Sequence, residues 1–573
     1  MHVNDGLVQR VEDADVATSR ALLRRDAGPI ERMLTIFRPR PSAGAERSTG
    51  FLATASLSLL SIVLFLCLAL RVMNYEVRRD EQLYVPPARL LDDQQLYWDF
   101  FYNHPPGAAW FFHGMRLLTG SDYLLLDARL GMLVFWLLLL GAVGLVSFAL
   151  TRSGLASWCI TILFAANELF LSQTGMTATN NLLPLPFSFL GLGLFVLALR
   201  DGVAQPALMA VAGFCLSVAV VFKLNAIAFV LPIAVAAFFL PRTGSLRGNL
   251  KSVVPLALGG LVGGLPILYY LVSEPDRFLA HVVDYHVGPH ATHGRLAAAS
   301  GDEAVVALGG KVKWAFDIWL ASATAIGLSA LLALILMTRF PKGGPALRAG
   351  GSRFDAIAVL VGALGVAVVF SLLPTPSFPQ YYAPPLLCLP LALALFFGWL
   401  RPEAKPFGQA VLIAAAVVVL LNAAPRLVQH AGSLLRPQQW TVSRVHAAGV
   451  SMADRLAEAG VSGKVATLAP LYVLEGGLDV YPELATGLFA YRTGDLTPPE
   501  LAKFYKMTSP TKVAAMLEAE PPAALLLGFE PELEAPLLAY AQMNGYLPAP
   551  GFDITDRYGT AQLYVRPEVF PDR

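Results

Sequence analysis

Eleven apolar segments recur between residues 51 and 424, at roughly 51–72, 129–150, 154–172, 181–199, 205–222, 224–240, 252–272, 315–338, 354–373, 383–400 and 407–424. A helix of about 20 apolar residues matches the hydrocarbon thickness of a bilayer. The pattern therefore predicts an α-helical polytopic membrane protein with about eleven transmembrane helices. Composition agrees, since only 14% of the chain is charged where soluble proteins carry about 25%. A net charge of +1 leaves no polyanion footprint and argues against a nucleic-acid partner.

The fifty residues before the first segment are polar and carry arginines at 10, 20, 24, 25, 32, 38, 40 and 47. A secretory signal peptide places its apolar core within about the first 15–30 residues. Here residues 1–50 read as a cytosolic tail ahead of an uncleaved anchor. With that end inside, the inside connections are 151–153, 200–204, 241–251, 339–353 and 401–406, and they hold eleven Lys and Arg. The short outside connections 173–180 and 374–382 hold none. The positive-inside rule then puts the long loops 73–128 and 273–314, and the C-terminus, on the outer face. In a bacterium that is the periplasmic side of the inner (plasma) membrane.

Beyond Pro425 the apolar runs shorten. GKVATLAPLYVL, AALLLGF and TAQLYVRP read as strands, and MADRLAEAG, PPELAKFYKM and PELEAPLLAYAQMNG as helices. Residues 425–573 are thus expected to form a soluble α/β domain beyond the membrane core, 51–424. All four cysteines (67, 159, 215 and 388) lie in apolar segments, so no disulfide framework is drawn.

Chemistry concentrates at the outer ends of the spans. Asp80 and Glu81 follow the first span behind Arg78 and Arg79. From the residues alone they are either a solvated pair neutralised by those arginines or a general base held at the membrane surface. A positioned carboxylate contributes about 10²–10⁴-fold to such a proton transfer. Lys223, between two apolar runs, is either an interfacial anchor or a cation facing a phosphate. Arg129, Gln380, Tyr381 and Tyr382 lie near the same interface, where arginines and tyrosines also serve as anchors. His281, Asp284, His286, His290 and His293 crowd thirteen residues. They offer a divalent-metal site without zinc-signature spacing, or a sugar-contacting or flexible polar loop.

Asp-Glu after the first span (RRDEQLYV), then YNHPPG opening the next hydrophobic stretch, resembles the protein O-mannosyltransferase and aminoarabinose transferase group of GT-C-fold enzymes. Lys223 in VFKLNA and the tyrosines of SFPQYYAPPLL are similar to that group's phosphate-contacting lysine and its late Tyr-x-x-Pro segment. The resemblance covers most of residues 51–424. It implies inverting transfer of a sugar from a polyprenyl phosphate, with Asp80 as base and Glu81 orienting the acceptor or the base. Lys223, Arg129, Gln380, Tyr381 and Tyr382 would hold the donor phosphate, and His104 would shape the loop. The group often has a second acid before the fourth span, whereas this chain reads TATNNLLPLPF. Asn180 and Asn181 then serve the sugar or acceptor pocket and leave Asp80 as the sole base. The implied acceptor is a glycolipid such as lipid A, a polysaccharide or a protein hydroxyl. A lipid-linked glycan polymerase or ligase and a lipid-linked glycan flippase are the rival readings.

Overall fold

The computed structural model describes residues 47–199, 205–240, 245–301, 304–339 and 351–566. Most of the expected cytosolic tail lies outside these residues, as do 200–204 and parts of two other connections used to orient the chain.

A helix, or a pair of helices broken at a bend, meets each of the eleven apolar segments. Five helices are long and apolar enough to cross a membrane: Thr54–Asn74, Leu124–Thr151, Arg353–Leu372, Pro379–Gly398 and Pro402–Val428. Two pairs are long and apolar enough only together, Leu246–Gly263 with Leu265–Ser273, bent by 69°, and Leu308–Trp319 with Ser322–Thr338, bent by 65°. The first break falls at Gly264-Leu265-Pro266, where glycine and the proline ring interrupt the helical ladder. Four further apolar helices are shorter, at Gly154–Ala165, Pro184–Leu199, Pro206–Phe222 and Leu224–Phe239. By length and composition the described residues thus hold five helices able to cross, or seven with each bent pair taken as one, and the four shorter ones occupy the remaining expected segments. The chain is a multi-pass membrane protein.

The two long connections are folded rather than loose. After the first helix, residues 75–106 form short turns and the helices Glu81–Tyr84 and Pro87–Leu90, and the helix Gly107–Thr119 follows. The second connection, read from the sequence as a long polar loop, is largely helical. Pro275–Leu279 runs through two π-helical turns, Ala280–Asp284 and His286–His290, into Ala291–Ala299. A π turn widens the ring by one residue, which lets Pro289 sit inside without ending the helix.

The C-terminal part carries a four-stranded mixed sheet of order β1-β2-β4-β3: β1 Val465–Thr467, β2 Ala524–Leu527, β3 Leu547–Asp556 and β4 Gly559–Val565. β1 and β2 are parallel, and the other pairs antiparallel. The expected strand at PLYVL is instead a helix, Pro470–Glu475, while β3 was not anticipated. Alternation along β2 explains both layers. Ala524 and Leu526 join the large core shared with the membrane helices, and Leu525 and Leu527 pack beneath Leu537 and Tyr540.

Side chains buried to differing degrees fasten this unit to the helices. The Glu475 carboxylate accepts the N–H groups of Leu124 and Leu125, capping the helix Leu124–Thr151, and pairs with His446 at 2.8 Å. Desolvation raises the Glu475 pKa, opposed by these bonds and by His446. The Gln82 amide oxygen accepts from Leu471 N, Tyr285 OH donates to Phe489 O, and Tyr505 OH donates to Ala280 O.

Candidate active site

A cavity of about 270 Å³ opens where the first connection, the helix ends and the C-terminal unit meet. Asp80, His104, Asn180, Asn181, Lys223 and Tyr381 all line it, joined by Gln380. Local geometry explains the convergence. In the His-Pro-Pro-Gly turn a Cβ on Gly107 would come within 2.6 Å of Val221 O, so only glycine lets His104 lie this close to the helix that Lys223 terminates. Tyr97 OH donates to His104 O at 2.6 Å, and the His104 ring stacks on Tyr84 with centroids 5.0 Å apart.

Asp80 is half-buried and accepts a hydrogen bond from Gln173 Nε2 at 3.1 Å. Desolvation raises its pKa, opposed by Lys223, by Arg492 and by the Gln173 bond. Lys223 donates to Asn181 Oδ1 at 2.5 Å and lies over the Tyr381 ring at 5.1 Å. Asn181 in turn donates from Nδ2 to Thr179 Oγ1. The lysine charge therefore meets neutral dipoles in its first contacts, and its attraction to Asp80 acts across the cavity.

Glu81, one residue on, faces the other way. It is fully buried and takes a two-pronged ion pair from Arg129, Nε to Oε1 at 3.0 Å and Nη2 to Oε2 at 2.9 Å. Ala178 N and Arg78 N also donate to it. Arg129 Nη1 donates to Val72 O and Tyr75 O. Neither residue is in the lining of the cavity, where Glu81 was expected to orient the acceptor or the base and Arg129 to hold the donor phosphate. The pair is a strut that ties the first helix, the turn after it, the helix Leu124–Thr151 and the connection at Ala178 together. Tyr382 is also displaced: its hydroxyl, buried, donates to Lys311 O at 3.0 Å and pairs with Ser377 Oγ.

The histidines divide. His286 and His290 line the cavity, their rings 5.7 Å apart and His286 5.2 Å from His104. His286 Nε2 donates to Asn103 O at 2.8 Å. His281 lies among Tyr97, Phe101 and Tyr505, with Nδ1 donating to Arg277 O. His281, Asp284 and His286 are thus not brought together, and among the described residues no group of three or more His, Cys, Asp or Glu is placed to hold a metal ion. Burial lowers the pKa of His104, His286 and His290, with neighbouring imidazoles and the Lys223 and Arg492 charges adding to the effect.

Sequence reasoning missed Gln173 and the three residues that the C-terminal unit contributes, Phe489, Arg492 and Tyr558. Gly487, at φ +64°, turns the chain so that Phe489 and Arg492 reach the cavity, and a Cβ there would strike Leu468 O at 2.7 Å. Tyr558 OH accepts from Arg79 N at 3.2 Å, while the Arg79 guanidinium pairs with Glu530. Nothing local in AYRTGD marks Arg492, because its role depends on contacts hundreds of residues away.

This arrangement of helices, outer connections and a C-terminal sheet unit defines a GT-C fold. Two solved structures share it: ArnT from Cupriavidus metallidurans bound to undecaprenyl phosphate, and the same protein in the apo state. The first has 15% identity and a TM-score of 0.57 over 90% of this chain and 98% of that one. The second has 14% identity and a TM-score of 0.58 over 91% and 98%. An Archaeoglobus fulgidus oligosaccharyltransferase complex with Zn and sulfate superposes at a TM-score of 0.44, with 12% identity over 88% and 73%. No family profile matches the chain, and no curated protein sequence does.

Proposed function

We propose that the chain is an inverting glycosyltransferase that moves a sugar from a polyprenyl-phosphate donor to a hydroxyl acceptor at the outer face of the membrane. The observation that carries this reading is one carboxylate, Asp80, sharing a cavity with the cations Lys223 and Arg492, beside Arg79, which is paired with Glu530. The acceptor oxygen attacks the anomeric carbon and its proton passes to Asp80. The pair of the C1–O bond leaves with the phosphate, which has a second pKa of about 6 and departs without needing a proton. Lys223 offsets the charge that grows on that phosphate, helped by the Tyr381 hydroxyl and the Gln380 amide, and Asn180 and Asn181 hold polar groups of the sugar or acceptor. The match to a fold seen with undecaprenyl phosphate bound supports the donor class. In this reading the C-terminus faces the periplasm of a bacterium, and the acceptor is a glycolipid, a polysaccharide or a protein.

The test is a deletion strain examined by mass spectrometry of membrane lipids and envelope glycans. Loss of one sugar with accumulation of its polyprenyl-phosphate donor is expected. The wild-type gene should restore the sugar, and Asp80→Asn should lower transfer by about 10²–10⁴-fold while inserting normally. Full complementation by Asp80→Asn would refute the assignment.

A further inference from the structure

Four buried side-chain atoms of cavity-lining residues have no hydrogen-bond partner among the described residues: Asn103 Oδ1, Asn180 Oδ1, His290 Nδ1 and Arg492 Nε. Buried polar groups are ordinarily paired, so such a cluster marks a place prepared for something else. Asn180 donates from Nδ2 to Phe222 O, which leaves its oxygen over as an acceptor. Two of the four atoms are carbonyl oxygens, and His290 Nδ1 adds a third acceptor in the Nε2–H tautomer. Acceptors of this kind ask for hydroxyl donors.

The charges in the cavity add a second constraint. Lys223 and Arg492 are its uncompensated cations, since Arg79 is paired with Glu530 outside it. Among the described residues Asp80 is the one carboxylate in the lining. A polyprenyl phosphodiester brings a single negative charge. With the donor seated, two cations face two anions and the count closes. An ammonium on the sugar would leave one positive charge over, in a space whose imidazoles stay neutral, and a carboxylate would leave one negative charge over. Either costs more here than in water, because low-dielectric walls magnify an unbalanced charge.

We propose that the sugar carried by the donor is uncharged and rich in hydroxyls, selected by the Asn103–Asn180–His290 acceptors and by a cavity whose charge is already balanced by Arg492. This rests on the glycosyltransferase reading above and adds the substrate class. It also gives Arg492, on the C-terminal unit, a part in choosing the sugar as well as in meeting the phosphate.

The full-length protein in detergent is titrated by thermal shift with bare undecaprenyl phosphate and with three synthetic polyprenyl-phosphate donors at pH 7.5. These carry mannose, a 4-amino-4-deoxypentose and a hexuronic acid. The mannose donor is expected to bind at least about tenfold more tightly than either charged one. Arg492→Gln removes one cation and should shift the preference toward the amino sugar, and Lys223→Ala should weaken all four ligands. Equal or tighter binding of the amino or acidic donor by wild type overturns the proposal, as does an unshifted preference in a folded Arg492→Gln. If bare undecaprenyl phosphate binds in a Lys223-dependent way while the sugars are not discriminated, the sugar assignment fails and the glycosyltransferase reading stands. If no polyprenyl phosphate binds at all, both fail.

Discussion

Arg129→Met isolates the strut beneath the site. The substitution keeps most of the side-chain volume but leaves the Glu81 carboxylate buried with two backbone N–H donors, from Ala178 and Arg78, and no counter-charge. Breaking a buried ion pair by removing one partner costs about 3–5 kcal/mol. Four charge-assisted or carbonyl contacts are lost at once, so the upper half of that range is expected. With an unfolding entropy of about 2.1 cal/mol/K per residue, a cooperative unit of about 500 residues loses roughly 1 °C for each kcal/mol. The unfolding midpoint of the detergent-solubilised protein should therefore fall by about 4–5 °C. Arg129→Lys should recover little, since an ammonium cannot reproduce the two-pronged contact to Glu81 while also serving Val72 O and Tyr75 O. Glu81→Gln combined with Arg129→Met removes both charges and should regain part of the loss. Differential scanning fluorimetry checks all three. An unchanged midpoint in Arg129→Met would refute the strut. A double variant that folds as wild type yet has lost all transfer would return Glu81 to the chemistry.

The pH profile of kcat/KM should show an acid limb governed by Asp80. Its pKa is raised by desolvation, and a base works only when ionised, so the rate falls as pH drops through that raised value and levels off above it. A limb at or below the ordinary aspartate value of about 3.9 would contradict this. Asn181→Asp should set a full negative charge against Lys223 and raise the donor KM on the order of tenfold, equivalent to about 1.4 kcal/mol; an unchanged donor KM would show that Lys223 does not meet the phosphate. Glu475→Gln weakens the cap on the helix Leu124–Thr151 and should cost about 1–2 kcal/mol. Limited proteolysis should then cut the C-terminal unit faster than in wild type, and equal rates would count against the cap.

Apolar periodicity made the helical segments legible because each needs only its own residues to declare itself. The bends at Gly264 and near Ala321 were not legible, since a hydropathy window averages over a break that costs only a few hydrogen bonds. Several residues later found around one cavity could be named beforehand because short motifs, RRDE, NHPPG and FKLN, sit at the ends of spans. Adjacent residues within a motif were another matter. Asp80 and Glu81 are chemically alike, and only the turn of backbone between them sends one to the cavity and the other to Arg129. Gln173 and Arg492 gave no signal, for each is a single polar residue whose importance arises from a fold that joins distant parts of the chain. The strand β3 was hidden by its prolines, Pro548 and Pro550, which lie where its pairing register with β4 shifts.

The hydrogen bond from Arg79 N to Tyr558 OH joins residues 479 positions apart in sequence. Together with Phe489 and Arg492 it builds one wall of the cavity from residues that follow every apolar segment in sequence. Every apolar segment has left the ribosome before that wall exists, and a growing chain folds broadly from its N-terminus. Nascent or prematurely truncated chains would therefore occupy the bilayer as complete helical bundles with an unfinished site. Under the reading proposed above, a lipid donor would meet Asp80 in a finished cavity only once the C-terminal unit has folded onto the helices.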